Sequence, residues 1–183
     1  MKKIALTALV AIMIGSSLPT AQAHVATQSF GFTTVAGQSS RVYLSLGHGC
    51  TYKNVKYGTS IFSVVVPAAA GKPTPEFRQG FKTSVVANTV LNAANAPIDY
   101  TVTWTAKSRS YVIDDGTFSD FGLKVKWDAT AQKINFPTTQ TCFTPDKTPL
   151  YLKWIITDGT TKPGTADTEF GPAPSLTTVA ATK

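Results

Sequence analysis

Apolar and polar residues alternate with period two through most of the chain. In residues 41–46 (RVYLSL), Val42, Leu44 and Leu46 fall on one face and Arg41, Tyr43 and Ser45 on the other. Residues 100–105 (YTVTWT) put Tyr100, Val102 and Trp104 together. Residues 121–127 (FGLKVKW) put Phe121, Leu123, Val125 and Trp127 on one face, opposite Lys124 and Lys126. Alternation with one polar face predicts antiparallel, half-buried strands. Strands are expected over 27–33, 41–46, 60–67, 81–86, 100–105, 118–127 and 150–157. In the first of these Phe30 and Phe32 alternate. Turns are expected at Ala36-Gly37-Gln38, Gly47-His48-Gly49, Gly71-Lys72-Pro73, Asp114-Asp115-Gly116 and Asp158-Gly159. Residues 86–96 could form a single helical turn, weakened by their asparagines. The pattern predicts an all-β fold, an immunoglobulin-like antiparallel β-sandwich.

The two ends depart from this pattern. Residues 1–23 have a basic start at Lys2 and Lys3, an apolar run over 4–14 and the small-x-small site Ala21-Gln22-Ala23. These are the marks of a cleaved secretory signal peptide. The expected domain covers 24–160, followed by a Thr-, Pro-, Ala- and Gly-rich extended segment over 161–183. About 160 residues remain after cleavage, enough for one domain with a sizeable core. No later stretch approaches the ~18 apolar residues of a spanning helix, so no integral membrane segment is expected in the mature chain. The formal charge of +7 drops to +5 when Lys2 and Lys3 leave. The remaining lysines are scattered, which points to a solvated basic surface and not to nucleic acid. Periplasmic or secreted residence is expected.

Cleavage after Ala23 would make His24 the first mature residue. Its free α-amino group and ring Nδ1 could then chelate one Cu(II) in the square-planar geometry that ion prefers. An internal histidine cannot do this. The blander reading is an exposed, poorly ordered terminus. Asp120 is the best acidic candidate for a further ligand, since it sits in a strand where no turn residue is needed. Its bland role is a solvent-facing carboxylate. Trp104, Trp127 and Trp154 serve by default as core fillers, although an indole such as that of Trp154 can shield a metal and stabilise a cation. Cys50 and Cys142 are the only cysteines. In an exported chain they point to a disulfide, with a pair of Cu(I) thiolates as the alternative. His24 and His48 are the only histidines, which excludes HExxH chemistry and His-rich clusters. The chain contains no GxSxG elbow, P-loop or dinucleotide fingerprint.

Several segments together resemble the YcnI-like copper-binding family of bacterial exported proteins. They are Ala23-His24-Val25, Leu46-Gly47-His48-Gly49-Cys50, Lys72-Pro73-Thr74-Pro75 with Gly80-Phe81, and Val102-Thr103-Trp104. Further along are Phe118-Ser119-Asp120-Phe121-Gly122-Leu123, Phe136-Pro137-Thr138-Thr139-Gln140-Thr141-Cys142, Lys153-Trp154-Ile155 and Gly171-Pro172-Ala173-Pro174. The resemblance implies a sandwich that binds Cu(II) through a single-histidine brace. His24 would supply the amine and ring, Asp120 would stand where the family has glutamate, and Trp154 would lie against the metal. Asp120 is one methylene shorter than glutamate, so affinity and geometry would change. Phe81 replaces a tryptophan, and His48 is not a ligand position.

The leading expectation is non-enzymatic copper binding for trafficking, storage or protection in the cell envelope. Met1 and Met13 leave with the signal, so Cu(I) has no soft ligand if the cysteines are paired. Delivery would then need a reduction step or a copper-transfer partner protein. A copper monooxygenase-like enzyme is one alternative and would need His48 to join His24. A metal-free structural or adhesive immunoglobulin-like domain is the other.

Overall fold

A computed structural model describes residues 25–161 and 170–182. His24 and the signal region lie outside the described residues.

The described chain forms a β-sandwich with an immunoglobulin-like fold. The four-stranded sheet runs in the order β1 (Ala26–Gln28), β2 (Ser39–Leu46), β9 (Ser119–Lys126) and β6 (Thr74–Pro75). The six-stranded sheet runs in the order β13 (Phe170–Pro172), β12 (Pro149–Ile156), β11 (Thr138–Phe143), β5 (Thr59–Pro67), β8 (Asp99–Ala106) and β7 (Phe81–Ala87). Two two-stranded sheets complete it, the hairpin of β3 (Cys50–Tyr52) with β4 (Val55–Tyr57), and the long-range pair of β10 (Lys133–Asn135) with β14 (Ser175–Thr177).

The alternation seen in the sequence becomes the inner face of each sheet. Val42, Leu44 and Leu46 of β2 and Phe121, Leu123 and Val125 of β9 are buried, facing Phe62, Val64 and Val66 of β5 and Val102 and Trp104 of β8. The rings of Phe62 and Phe121 stack at 4.1 Å between centroids, and Trp104 packs against Phe121 at 5.2 Å. Burying each such side chain stabilises the fold by about 1.5–3 kcal/mol. Phe81, at the position where the resembled family has tryptophan, meets Phe121 edge-on at 6.3 Å and is buried.

Three departures from the sequence expectation have physical causes. Residues 27–33 do not form one strand. β1 ends at Gln28, a turn closes with Phe32 N–H donating to Ser29 O at 3.0 Å, and Phe30 takes a left-handed φ of 50°. Phe30 and Phe32 are therefore exposed and take no part in a strand alternation. Residues 86–96 hold no helix: β7 runs to Ala87, and Asn92 then caps a turn closed by the Leu91–Pro97 bridge. Asparagine side chains that bond nearby backbone favour such turns.

The third departure is β11, which the apolar pattern does not reveal. Its inward positions are Thr138, Gln140 and Cys142, all buried. They are accommodated by bonding: Thr138 Oγ1 donates to Phe136 O at 2.8 Å, and Gln140 Nε2 donates to His48 O at 2.8 Å and to Thr59 Oγ1 at 2.5 Å. Cys142 is consumed in a disulfide to Cys50, with Cα atoms 6.1 Å apart. Buried polar groups are tolerated when paired; Gln140 Oε1 alone among these stays buried without a hydrogen-bond partner.

The described residues beyond 160 are built into the sandwich. Phe170 and Gly171 pair with Lys153 and Trp154, Ser175–Thr177 pair with β10, and Val179 bridges Val35.

Candidate metal centre

The first candidate ligand, His24, lies outside the described residues, so the site is built from its neighbours. Val25 is 2% exposed and belongs to the same buried cluster as Trp154. Ala26 opens β1 opposite Ser45 of β2, and Ser45 stands opposite Asp120 of β9. Ala26, Ser45 and Asp120 therefore form one row across three strands. At roughly 4.8 Å per strand, the row spans about 10 Å of backbone.

Asp120 lies on the strand face turned away from Phe121, Leu123 and Val125. It is not the free solvent-facing carboxylate of the bland reading. The residue is half-buried, and its Oδ1 is buried with no hydrogen-bond partner. A buried acceptor left unpaired costs about 1–3 kcal/mol, more if charged, so such an atom calls for an explanation.

Two neighbours shape this carboxylate's surroundings. Arg78 donates from Nη1 to the Asp120 backbone oxygen at 3.1 Å and from Nη2 to Ser119 Oγ. Its guanidinium lies over the rings of Phe81 and Phe121, at 5.0 and 4.8 Å. Desolvation by burial pulls the Arg78 pKa down from its ordinary value, while the charges of Asp120 and Glu76 push it back up. Glu76 reaches over Gly122, next but one to Asp120 on the same face. A Cβ at Gly122 would sit 2.2 Å from Glu76 Oε2 and 2.9 Å from Tyr43 Cε1. Glycine leaves room there for another chain to approach.

Trp154 belongs to the opposite sheet. It pairs with Thr138 and Gly171 and is 6% exposed within the core. The indole N–H groups of Trp104 and Trp127 donate to Glu76 O and Ser40 Oγ. Among the described residues that of Trp154 has no such partner. Asp120 thus sits on an outer face and Trp154 in the interior, and no hydrogen bond joins them among the described residues. The Val25–Ala26 segment is what they share, Val25 through the core cluster and Ala26 through the strand row.

His48 stands apart, beside the disulfide. Its Nδ1 meets the carbonyl of Gly49, and its own carbonyl accepts from Gln140. Among the described residues, no three His, Cys, Asp or Glu side chains gather in a cluster able to hold a metal ion. Sequence reasoning missed Arg78, Glu76 and Ser45, because cross-strand neighbours depend on register. The one available signal was Gly122, a glycine at an outward position in a strand.

No curated protein matches the chain. Among solved structures, an uncharacterized protein from Nocardia farcinica with an immunoglobulin-like fold is similar, with a TM-score of 0.57 and 21% identity. The match covers 85% of this chain and 97% of that one. It supports the fold alone. The family model described as a domain of unknown function, DUF1775, matches residues 24–178, and the chain belongs to that family.

Proposed function

We propose that the exported, processed chain binds one Cu(II) through a brace at His24 and handles copper in the cell envelope without catalysing a reaction. The observation that carries this reading is the buried, unpartnered Oδ1 of Asp120, in a strand row whose far end is Ala26, two residues after His24.

The donor chemistry fits the ion. An amine, an imidazole and a carboxylate make the N/O set that Cu(II) prefers. Cys50 and Cys142 are joined to each other, so they offer no thiolate for Cu(I). The row from Ala26 to Asp120 is wide for direct ligation, so His24 must reach across Ser45, or the short aspartate must act through water. Trp154 shares its buried cluster with Val25, so it bears on the site through the packing of the segment that follows His24. Copper is cargo in this reading, bound in an oxidising compartment and passed to a partner or reductant.

The test is a Cu(II) titration of the chain matured by export, with its N-terminus confirmed by mass spectrometry and the product followed by EPR. One tight, nitrogen-ligated type 2 copper is expected, lost when a single residue is retained before His24. His48→Ala should leave it unchanged. Equal, weak binding with and without the extra residue would reject the brace.

A further inference from the structure

We infer that the outer face of the four-stranded sheet docks on an anionic lipid surface, independently of any bound metal. Arg41 of β2 stands directly opposite Lys124 of β9, and Lys126 lies two residues further along the same face. All three side chains are exposed. Like charges placed directly across a ladder are destabilising, and none of these cations has an ion-pair partner among the described residues. The one ion pair there joins Lys56 to Asp115 on a different part of the surface. Of the acids on this face, Asp120 sits toward the other end of β9, while Glu76 lies over Gly122, two residues from Lys124. Asp120 is four residues from Lys124, roughly 13 Å along a strand, beyond the ~8 Å Debye length of physiological salt. Glu76 offsets one of the three cations, which leaves the patch net positive, and an external array of negative charge would relieve the remaining repulsion.

Apolar groups rim the same face. Phe30 rests edge-on against Tyr43 at 4.9 Å, and Tyr43 lies between Arg41 and Ser45 on this face. Phe30 is nevertheless 59% exposed, and Phe32, in the same connection, is 77% exposed. Phe30 holds this position in a left-handed conformation, φ 50°, that bulky residues rarely adopt. Protein partners are met by central aromatic anchors inside a polar rim. Here the order is reversed, with cations on the open sheet face and phenylalanines at its margin. That arrangement suits a lipid surface, where long basic side chains reach headgroups and aromatic rings enter the interface.

The test is co-sedimentation of the processed chain with phosphatidylcholine vesicles, with and without phosphatidylglycerol. Binding is expected only with phosphatidylglycerol and should vanish between about 0.1 and 1 M salt. Arg41→Gln, Lys124→Gln and Lys126→Gln should each weaken it by about fivefold, the effect of one basic residue near a charged bilayer. Phe32→Ser should weaken binding without changing its salt dependence. Lys107→Gln with Lys147→Gln removes twice the charge of any one of these variants, elsewhere on the surface, and should leave binding nearly intact. Absence of vesicle binding would overturn the inference. So would equal binding to neutral vesicles, an equal loss in the Lys107/Lys147 control, or heparin binding indifferent to Phe32 that replaces vesicle binding.

Discussion

Asp120 stands directly across the β2–β9 ladder from Ser45, yet Ser45 does not satisfy its buried Oδ1. A carboxylate held this way costs the empty fold free energy. Asp120→Asn is therefore expected to leave the metal-free protein as stable as before or more so, by up to about 1 kcal/mol. The same substitution should weaken Cu(II) binding at least about tenfold, the loss of one charged ligand contact. Asp120→Glu restores the methylene found in the resembled family and should tighten binding. Thermal unfolding of the metal-free variants and competition with a Cu(II) chelator read the two effects separately. A metal-free Asp120→Asn protein destabilised by more than about 1 kcal/mol would mean that the carboxylate serves the fold through Arg78.

Two glycines that look alike in sequence should respond differently to alanine. At Gly49 an added Cβ would lie 2.1 Å from the backbone oxygen of Tyr57, which β3–β4 pairing holds in place. At Gly122 the nearest atom, at 2.2 Å, is the carboxylate end of exposed Glu76, which can swing aside. Gly49→Ala should cost at least about 2 kcal/mol and Gly122→Ala less than about 1.5 kcal/mol. Urea unfolding of both variants measures the contrast. Similar losses would show that Tyr43, 2.9 Å from the Gly122 position, cannot move.

The sequence revealed what period two can reveal. β2, β5, β8 and β9 announce themselves because their inward residues are apolar, and the structure buries those residues, apart from half-buried Tyr100. β11 stays hidden because its inward residues are polar, and Gln140 Nε2 finds partners as distant as His48 and Thr59. Residues 29–32 mislead for the converse reason: they are apolar and alternating, but a turn at Ser29 sends the phenylalanines to the surface. At the candidate centre, His24 could be singled out from the cleavage pattern alone and Asp120 and Trp154 from their residue types and strand positions, with their roles implied by the resemblance. Arg78, Glu76 and Ser45 could not, because a one-residue change of register would have given Asp120 different neighbours.

The disulfide ties the end of the β2–β3 connection to β11, its cysteines 92 positions apart in sequence. Closing a loop of that length constrains the unfolded chain by about 4–5 kcal/mol in the entropic model. The double variant Cys50→Ala/Cys142→Ala is expected to lose about 3–5 kcal/mol in denaturant, at the scale seen for native disulfides. Because Cys50 and Cys142 bond each other and leave no thiolate, Cu(II) stoichiometry of the folded variant should be unchanged. Loss of the EPR signal at temperatures where the variant is still folded would place sulfur in the metal site.

Asp158 carries a pH dependence that can be tested one residue at a time. Its Oδ1 accepts from the backbone N–H groups of Thr160 and Thr161, both at 2.9 Å, and its Oδ2 accepts from Thr161 Oγ1 at 2.7 Å. The Thr161 backbone bond is the leading cause that lowers its pKa to about 2. The folded value lies below the ~3.9 of an unfolded aspartate, so the folded state favours the ionised carboxylate. Its contribution is complete above about pH 4 and disappears as pH falls toward about 2. Carboxyl chemical shifts should show Asp158 titrating near that value. Thr161→Ala keeps the backbone donors but removes the hydroxyl, so the midpoint should rise only part of the way toward 3.9. A midpoint already at the ordinary value in the unmodified chain would mean that the turn after β12 is not formed in solution.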